Sequence, residues 1–182
     1  MSALGNFLGY QAVWFIAVYG AGAERASPAL CAAGVFAAWQ LGCATEVRAD
    51  LRLIGLALAC GVLLDGSLAL SGLILYAAPA PALPPHGAPL WILALWTAFA
   101  LTLNHSLRWL AQRPAAAALL GVFGGPLAYL AAARLAGAVQ LSPPAWRGIT
   151  ALALGWGVAL ALLAWRATPA AAAGPSARAT RS

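Results

Sequence analysis

Asp65 is the one acidic residue set deep inside an apolar run of this sequence, with Leu, Ile and Val on either side. A carboxyl at the centre of a membrane helix costs about 2.5–3.5 kcal/mol to insert. Each aliphatic neighbour returns about 0.3–0.6 kcal/mol, so the run still inserts. The acid is then expected to face a bundle interior or a cavity rather than lipid. Two chemistries suit it: a general acid acting on a bound molecule, or a proton carrier in a transporter. A third reading is a structural acid whose hydrogen bonds pin helices together. Asn104-His105-Ser106, followed by Arg108 and Trp109, closes a later apolar run. His105 would act there as a base or positioning group, with Asn104 beside it, unless the group is an interfacial helix cap. Gly124-Gly125-Pro126 falls near the middle of a fifth run, with Tyr129 one turn on. Pro126 cannot donate its i−4 hydrogen bond, and two preceding glycines ease unwinding. A broken helix lining a site is the expectation, with a simple packing kink as its alternative. Trp14 and Trp96 would complete an apolar, π-rich lining of the kind that suits cationic intermediates, with the amide of Gln11 beside them. Asp65, His105 and Asn104 are thus the predicted catalytic residues. Gln11, Trp14, Trp96, Gly124, Gly125, Pro126 and Tyr129 are the predicted lining. No metal or cofactor is expected: Cys31, Cys43 and Cys60 lack CxxC spacing, and HExxH and ExxH are absent.

The elements that must hold these residues follow from composition. The chain has 182 residues, 63% hydrophobic and 8% charged, with a mean hydropathy of +0.85. Soluble domains carry about 25% charged residues, so a water-facing surface cannot be built. Crossing about 30 Å of hydrocarbon takes about 20 apolar residues. Six runs of that kind occur, at about 4–22, 28–45, 53–77, 90–108, 115–134 and 146–165. None alternates polar with apolar residues as a barrel strand would, so each is predicted to be a helix. The expected fold is an all-α integral membrane protein, a six-helix transmembrane domain over 1–167 with span five broken at Gly-Gly-Pro. Ala78 to Pro89, APAPALPPHGAP, is too rich in proline for a helix. Residues 168–182 read as a disordered cytoplasmic tail. Asn6, Gln11 and Gln40 are expected first as polar glue between helices.

The net charge of +6 comes from ten Arg and no Lys, placed singly or in pairs between apolar runs. Nucleic-acid binders cluster their cations on one face, so no nucleic-acid partner is expected. Seven Arg (48, 52, 108, 113, 166, 178 and 181) fall on one side of the six-span arrangement and three (25, 134 and 147) on the other. The positive-inside rule then puts both termini in the cytoplasm. Trp91, Trp109, Trp146 and Trp165 sit at run ends as expected headgroup anchors. Ala21-Gly22-Ala23 mimics a signal-peptidase site, yet no Lys or Arg precedes the run, so residues 1–23 are read as a retained first span.

The strings PLWILALWTAFALTLNHSLRWL and GVFGGPLAYLAAARLAG, with NFLGYQAVWF and Leu64-Asp65-Gly66, resemble domain-of-unknown-function family 2878. The similarity covers most of the chain apart from the tail. It implies a small multi-pass protein of the bacterial inner membrane and brings no activity with it. The functional expectation is an intramembrane enzyme or accessory factor acting on a lipid or isoprenoid-like substrate, partnered by the bilayer, with a homo-oligomer as a further expectation. The alternatives are a small proton-coupled transporter or permease, and a non-catalytic membrane partner.

Overall fold

The computed structural model describes residues 2–167, so the expected tail at 168–182 lies outside the described residues. Six α-helices form, one for each apolar run: α1 Ala3–Gly22, α2 Ser27–Gly42, α3 Val47–Leu70, α4 Leu90–Leu103, α5 Pro114–Ala136 and α6 Trp146–Arg166. Pro28 and Pro114 each sit in the first turn of their helix, where the missing N–H removes no intrahelical bond. Successive helices run antiparallel, as bonds between their ends show. Near the start of α1, Asn6 Nδ2 donates to Gln40 Oε1 late in α2 (3.0 Å) and to the Leu101 carbonyl late in α4 (3.1 Å). Asn6 Oδ1 accepts from the Ser106 hydroxyl (2.6 Å) and from its backbone N–H (3.3 Å). Gln112, in the α4–α5 connection, donates to the Trp165 carbonyl at the end of α6. Asn6 and Gln40 are fully buried and act as the expected glue. Asn6→Ala removes four bonds, each about 0.6 kcal/mol inside a membrane bundle. A loss of about 2 kcal/mol, read as a lower unfolding midpoint in detergent, is the expected result.

Two helices end earlier than the apolar pattern suggests. Span three was expected to reach residue 77, but α3 stops at Leu70. Gly72 takes a left-handed φ of +68°, Leu73 N–H bonds the Leu68 carbonyl, and Gly72 N–H bonds that of Ala69. This is a Schellman ending, which a glycine at that position allows. The chain continues as a strand, β1 Ile74–Tyr76. In the same way α5 ends at a left-handed Gly137 (φ +63°) and leads into β4 Val139–Leu141. β1 and β4 pair antiparallel with Ile74 opposite Leu141 and Tyr76 opposite Val139. Between them in sequence, β2 Ala82–Leu83 and β3 Ala88–Pro89 form a second short ladder in the Pro-rich connection. The fold is therefore mostly helical rather than purely so. Span four, expected to reach 108, stops at Leu103 and passes through turns to a 3-10 segment at Arg108–Leu110.

The expected break in span five does not occur: α5 is continuous through Pro126. The glycines around Pro126 serve packing instead. A Cβ on Gly121 would lie 2.3 Å from the Trp156 carbonyl oxygen, and one on Gly125 would lie 2.4 Å from Trp156 Cγ. Bare backbone on α5 thus lets α6 lie directly against it, the small-residue packing that membrane helices use. Gly61 plays the same part for the Trp96 ring across α3 and α4, where a Cβ would meet Cδ1 at 2.5 Å.

α3, α5 and α6 are long and apolar enough to cross a membrane, and α4 is a shorter apolar helix. Large apolar side chains cover their outer faces, among them Leu63, Leu119, Phe123, Leu127, Leu154 and Val158. Trp109, Trp146 and Trp165 are more than half exposed, as interfacial anchors would be, whereas Trp91 is 1% exposed and belongs to the interior.

Candidate functional site

The buried residues of α3 include Asp50, Leu53, Ala57, Gly61, Asp65 and Leu68, spaced three or four apart along one face. That stripe carries an acid near each end. Fifteen residues of helix separate the two acids by about 22 Å, and each has its own partners.

Asp65 is fully buried. Its Oδ2 accepts from Trp96 Nε1 on α4 at 2.7 Å, and its Oδ1 accepts from the Tyr76 hydroxyl on β1 at 2.9 Å. The Tyr129 hydroxyl on α5 donates to the same Oδ1. One carboxyl therefore joins α3 to three other elements through three neutral donors. Burying an acid without such partners would be costly, and three donors engage both oxygens of the group.

Asp50 is 2% exposed. Its Oδ1 accepts from Asn104 Nδ2 at 2.8 Å, and its Oδ2 lies 3.1 Å from His105 Nε2. His105, Asn104 and Asp65 are the predicted catalytic residues. The structure pairs His105 and Asn104 with Asp50, at the opposite end of α3 from Asp65. In sequence Asp50 sits among Glu46, Arg48 and Arg52, where it looks like one more charge in the connection before span three. Stepping back from Asp65 by four residues to Gly61, Ala57 and Leu53, then by three, reaches Asp50, and that periodicity was the available signal.

A cavity of about 350 Å³ opens between α1, α4, α5 and α6. Gln11, Trp14, Trp96, Gly124, Gly125 and Tyr129 all line it. Of the predicted lining only Pro126 is set apart from it, buried on α5. Trp91, Phe99 and Trp156 also contribute walls that sequence reasoning missed. Trp156 stacks on Trp96 with ring centroids 4.2 Å apart and planes 9° from parallel, and Phe99 meets Trp156 edge-on at 5.5 Å. The flanking Gly155 and Gly157 of the Gly-Trp-Gly segment are close to Leu64 and Val122. They were the sequence hint that Trp156 lies in a crowded interior. Asp65 stays behind the wall, touching the cavity only through Trp96 and Tyr129, which line it and bond the carboxyl. A bound molecule could therefore exchange a hydrogen bond or proton with the Tyr129 phenol, backed by Asp65. α1 supplies Tyr10, Gln11, Trp14 and Val18 to the lining, so the first helix is part of the site.

A mostly helical bundle with three helices able to cross a membrane, an apolar outer surface and an aromatic interior cavity is a membrane-type protein. Within that class, the chain belongs to the family described as protein of unknown function (DUF2878), whose model matches residues 3–162. Comparison with curated proteins and with solved structures gives no match in either case.

Proposed function

We propose that this is a six-span protein of the bacterial inner membrane, both termini cytoplasmic, that holds a lipid or isoprenoid-like molecule in its aromatic cavity. The observation that carries the reading is the cavity itself. Its volume of about 350 Å³ lies within the roughly 300–1,000 Å³ of small-molecule sites. Its walls are largely aromatic and aliphatic, and Asp65 lies directly behind two of them, Trp96 and Tyr129. An enzyme or an accessory factor for lipid modification follows more readily than a proton-coupled transporter. A carrier acid would have to face the cavity in turn with solvent, and Asp65 is enclosed by three donors. The six-span topology is supported by the alternating helix directions and by Arg48, Arg52, Arg108, Arg113 and Arg166 falling at one end of the bundle.

Gly124 offers the direct test. It lines the cavity, and a Cβ there meets nothing nearer than Leu120 Cδ1 at 4.0 Å. Gly124→Leu should therefore fill the cavity without disturbing the helix contacts. Deleting the gene is expected to change the lipid profile of the cell, with wild type restoring it and Gly124→Leu failing to. Full restoration by a folded Gly124→Leu protein would sink the cavity reading.

A further inference from the structure

The same cavity narrows the chemistry of what it can hold, an inference that rests on the cavity reading just given. None of the residues lining it is Arg, Lys, His, Asp or Glu. A phosphate or carboxylate drawn into such a space would lose its water and gain no counter-ion, which is prohibitive for a buried charge. A wholly apolar occupant fits poorly too, because two donors are left without partners among the described residues. Trp91 and Trp156 both line the cavity, and the buried Nε1 of each makes no hydrogen bond. A buried N–H without an acceptor is costly, and a bound acceptor would relieve it. Trp96, by contrast, spends its N–H on Asp65, so the two neighbouring indoles of α4 are not equivalent.

The way in is also marked. Lining residues that are partly exposed include Gln11 and Trp14 on α1 and Leu120 and Gly124 on α5. α1 and α5 approach tightly where Gly22 lies against the Ala136 backbone, at the end of the bundle that holds β1 and β4. Further along, small Gly124 and Ala128 face α1 across the cavity.

From these observations we infer that the cavity takes, sideways from the bilayer between α1 and α5, a neutral molecule with an apolar body and a hydrogen-bond acceptor, bound by the unpartnered indole N–H of Trp91 or of Trp156. A ketone, ester or alcohol is the class; a phosphorylated lipid precursor is not. Trp91 and Trp156 are the specificity-determining residues in this arrangement.

The test uses the full-length protein in phosphatidylcholine nanodiscs, titrated with farnesol, farnesyl diphosphate or the hydrocarbon farnesane. Tryptophan emission reports occupancy, since several tryptophans form the walls. Gly124→Leu protein supplies the signal from probe merely dissolved in lipid. Farnesol is expected to bind about tenfold more tightly than farnesyl diphosphate. It should exceed farnesane by about fivefold, and Trp91→Phe or Trp156→Phe, whichever removes the binding donor, should abolish that margin while leaving farnesane unchanged. Farnesyl diphosphate binding as tightly as farnesol would overturn the inference and leave the cavity reading standing. So would farnesol binding no better than farnesane, a comparison that needs only wild type should either Phe variant fail to fold. If no probe distinguishes wild type from Gly124→Leu, the cavity reading falls along with it.

Discussion

Asp65→Ala is expected to destabilise the folded protein in detergent by about 3 kcal/mol. The substitution strands three buried donors, the hydroxyls of Tyr76 and Tyr129 and the indole N–H of Trp96. At about 0.6 kcal/mol for an average side-chain bond in a membrane bundle the loss would be near 2 kcal/mol. Donors left unsatisfied in a closed interior cost about 1–3 kcal/mol each, which moves the figure upward. Unfolding followed by circular dichroism would measure it. Trp96→Phe should cost about 1 kcal/mol alone and almost nothing in the Asp65→Ala background, the coupling expected of a direct bond. Asp65→Asn separates packing from chemistry. The amide retains acceptor capacity but cannot take up a proton, so it should fold with a smaller loss. If Asp65 backs a proton-transferring Tyr129, the folded Asn variant loses the lipid phenotype; if Asp65 only joins helices, that phenotype persists.

Gly121→Val is expected to be worse still for the fold, at about 3 kcal/mol or more. Its Cβ would stand 2.3 Å from the Trp156 oxygen and 2.6 Å from the carbonyl carbon. Both are backbone atoms, so no rotamer change relieves the contact and the two helices must separate. Overpacking a rigid interior costs about 1–3 kcal/mol, occasionally more, and this contact has no flexible partner to yield. Parting α5 from α6 would also disturb the Trp96–Trp156 stack. The accompanying sign is a red-shifted tryptophan emission with a lowered midpoint. Gly124→Leu, only three residues further on, should keep both near wild type. A Gly121→Val protein as stable as wild type would show that α5 and α6 are not in backbone contact.

All six helical segments are legible in the sequence because each depends on a local quantity, the run of apolar residues long enough to close its own hydrogen bonds. Their ends are less so. Residues 71–77 are nearly as apolar as the helix before them, and only Ser71-Gly72 marks the turn into β1. Pairing with β4 is a long-range event that hydropathy does not register. Gly125-Pro126 misled for a related reason. A glycine beside a proline suggests unwinding when α5 is considered alone, but its purpose is a neighbour, Trp156 on α6. Asp65 stands out because it is alone in an apolar run, whereas Asp50 sits among Glu46, Arg48 and Arg52 and looks like ordinary loop charge. Its burial depends on where α3 begins and on Asn104 and His105 arriving from α4. The cavity lining was accessible as residue types, since aromatic and small residues at helical spacing are visible. Its partition from the acid was not, because that depends on which way Trp96 and Tyr129 turn.

The three donors to Asp65 lie 11, 31 and 64 residues further along the chain. Synthesis therefore delivers them in a fixed sequence, first Tyr76, then Trp96 on α4, and last Tyr129 on α5. While α3 is the newest helix, its acid has a single donor emerging behind it. The β1–β4 ladder has the same timing, for Val139 follows Tyr129 out of the ribosome by ten residues. The carboxyl that binds the finished bundle is thus under-partnered throughout the middle of translation. The arrival of the fifth helix both satisfies the acid and closes the cavity wall in front of it.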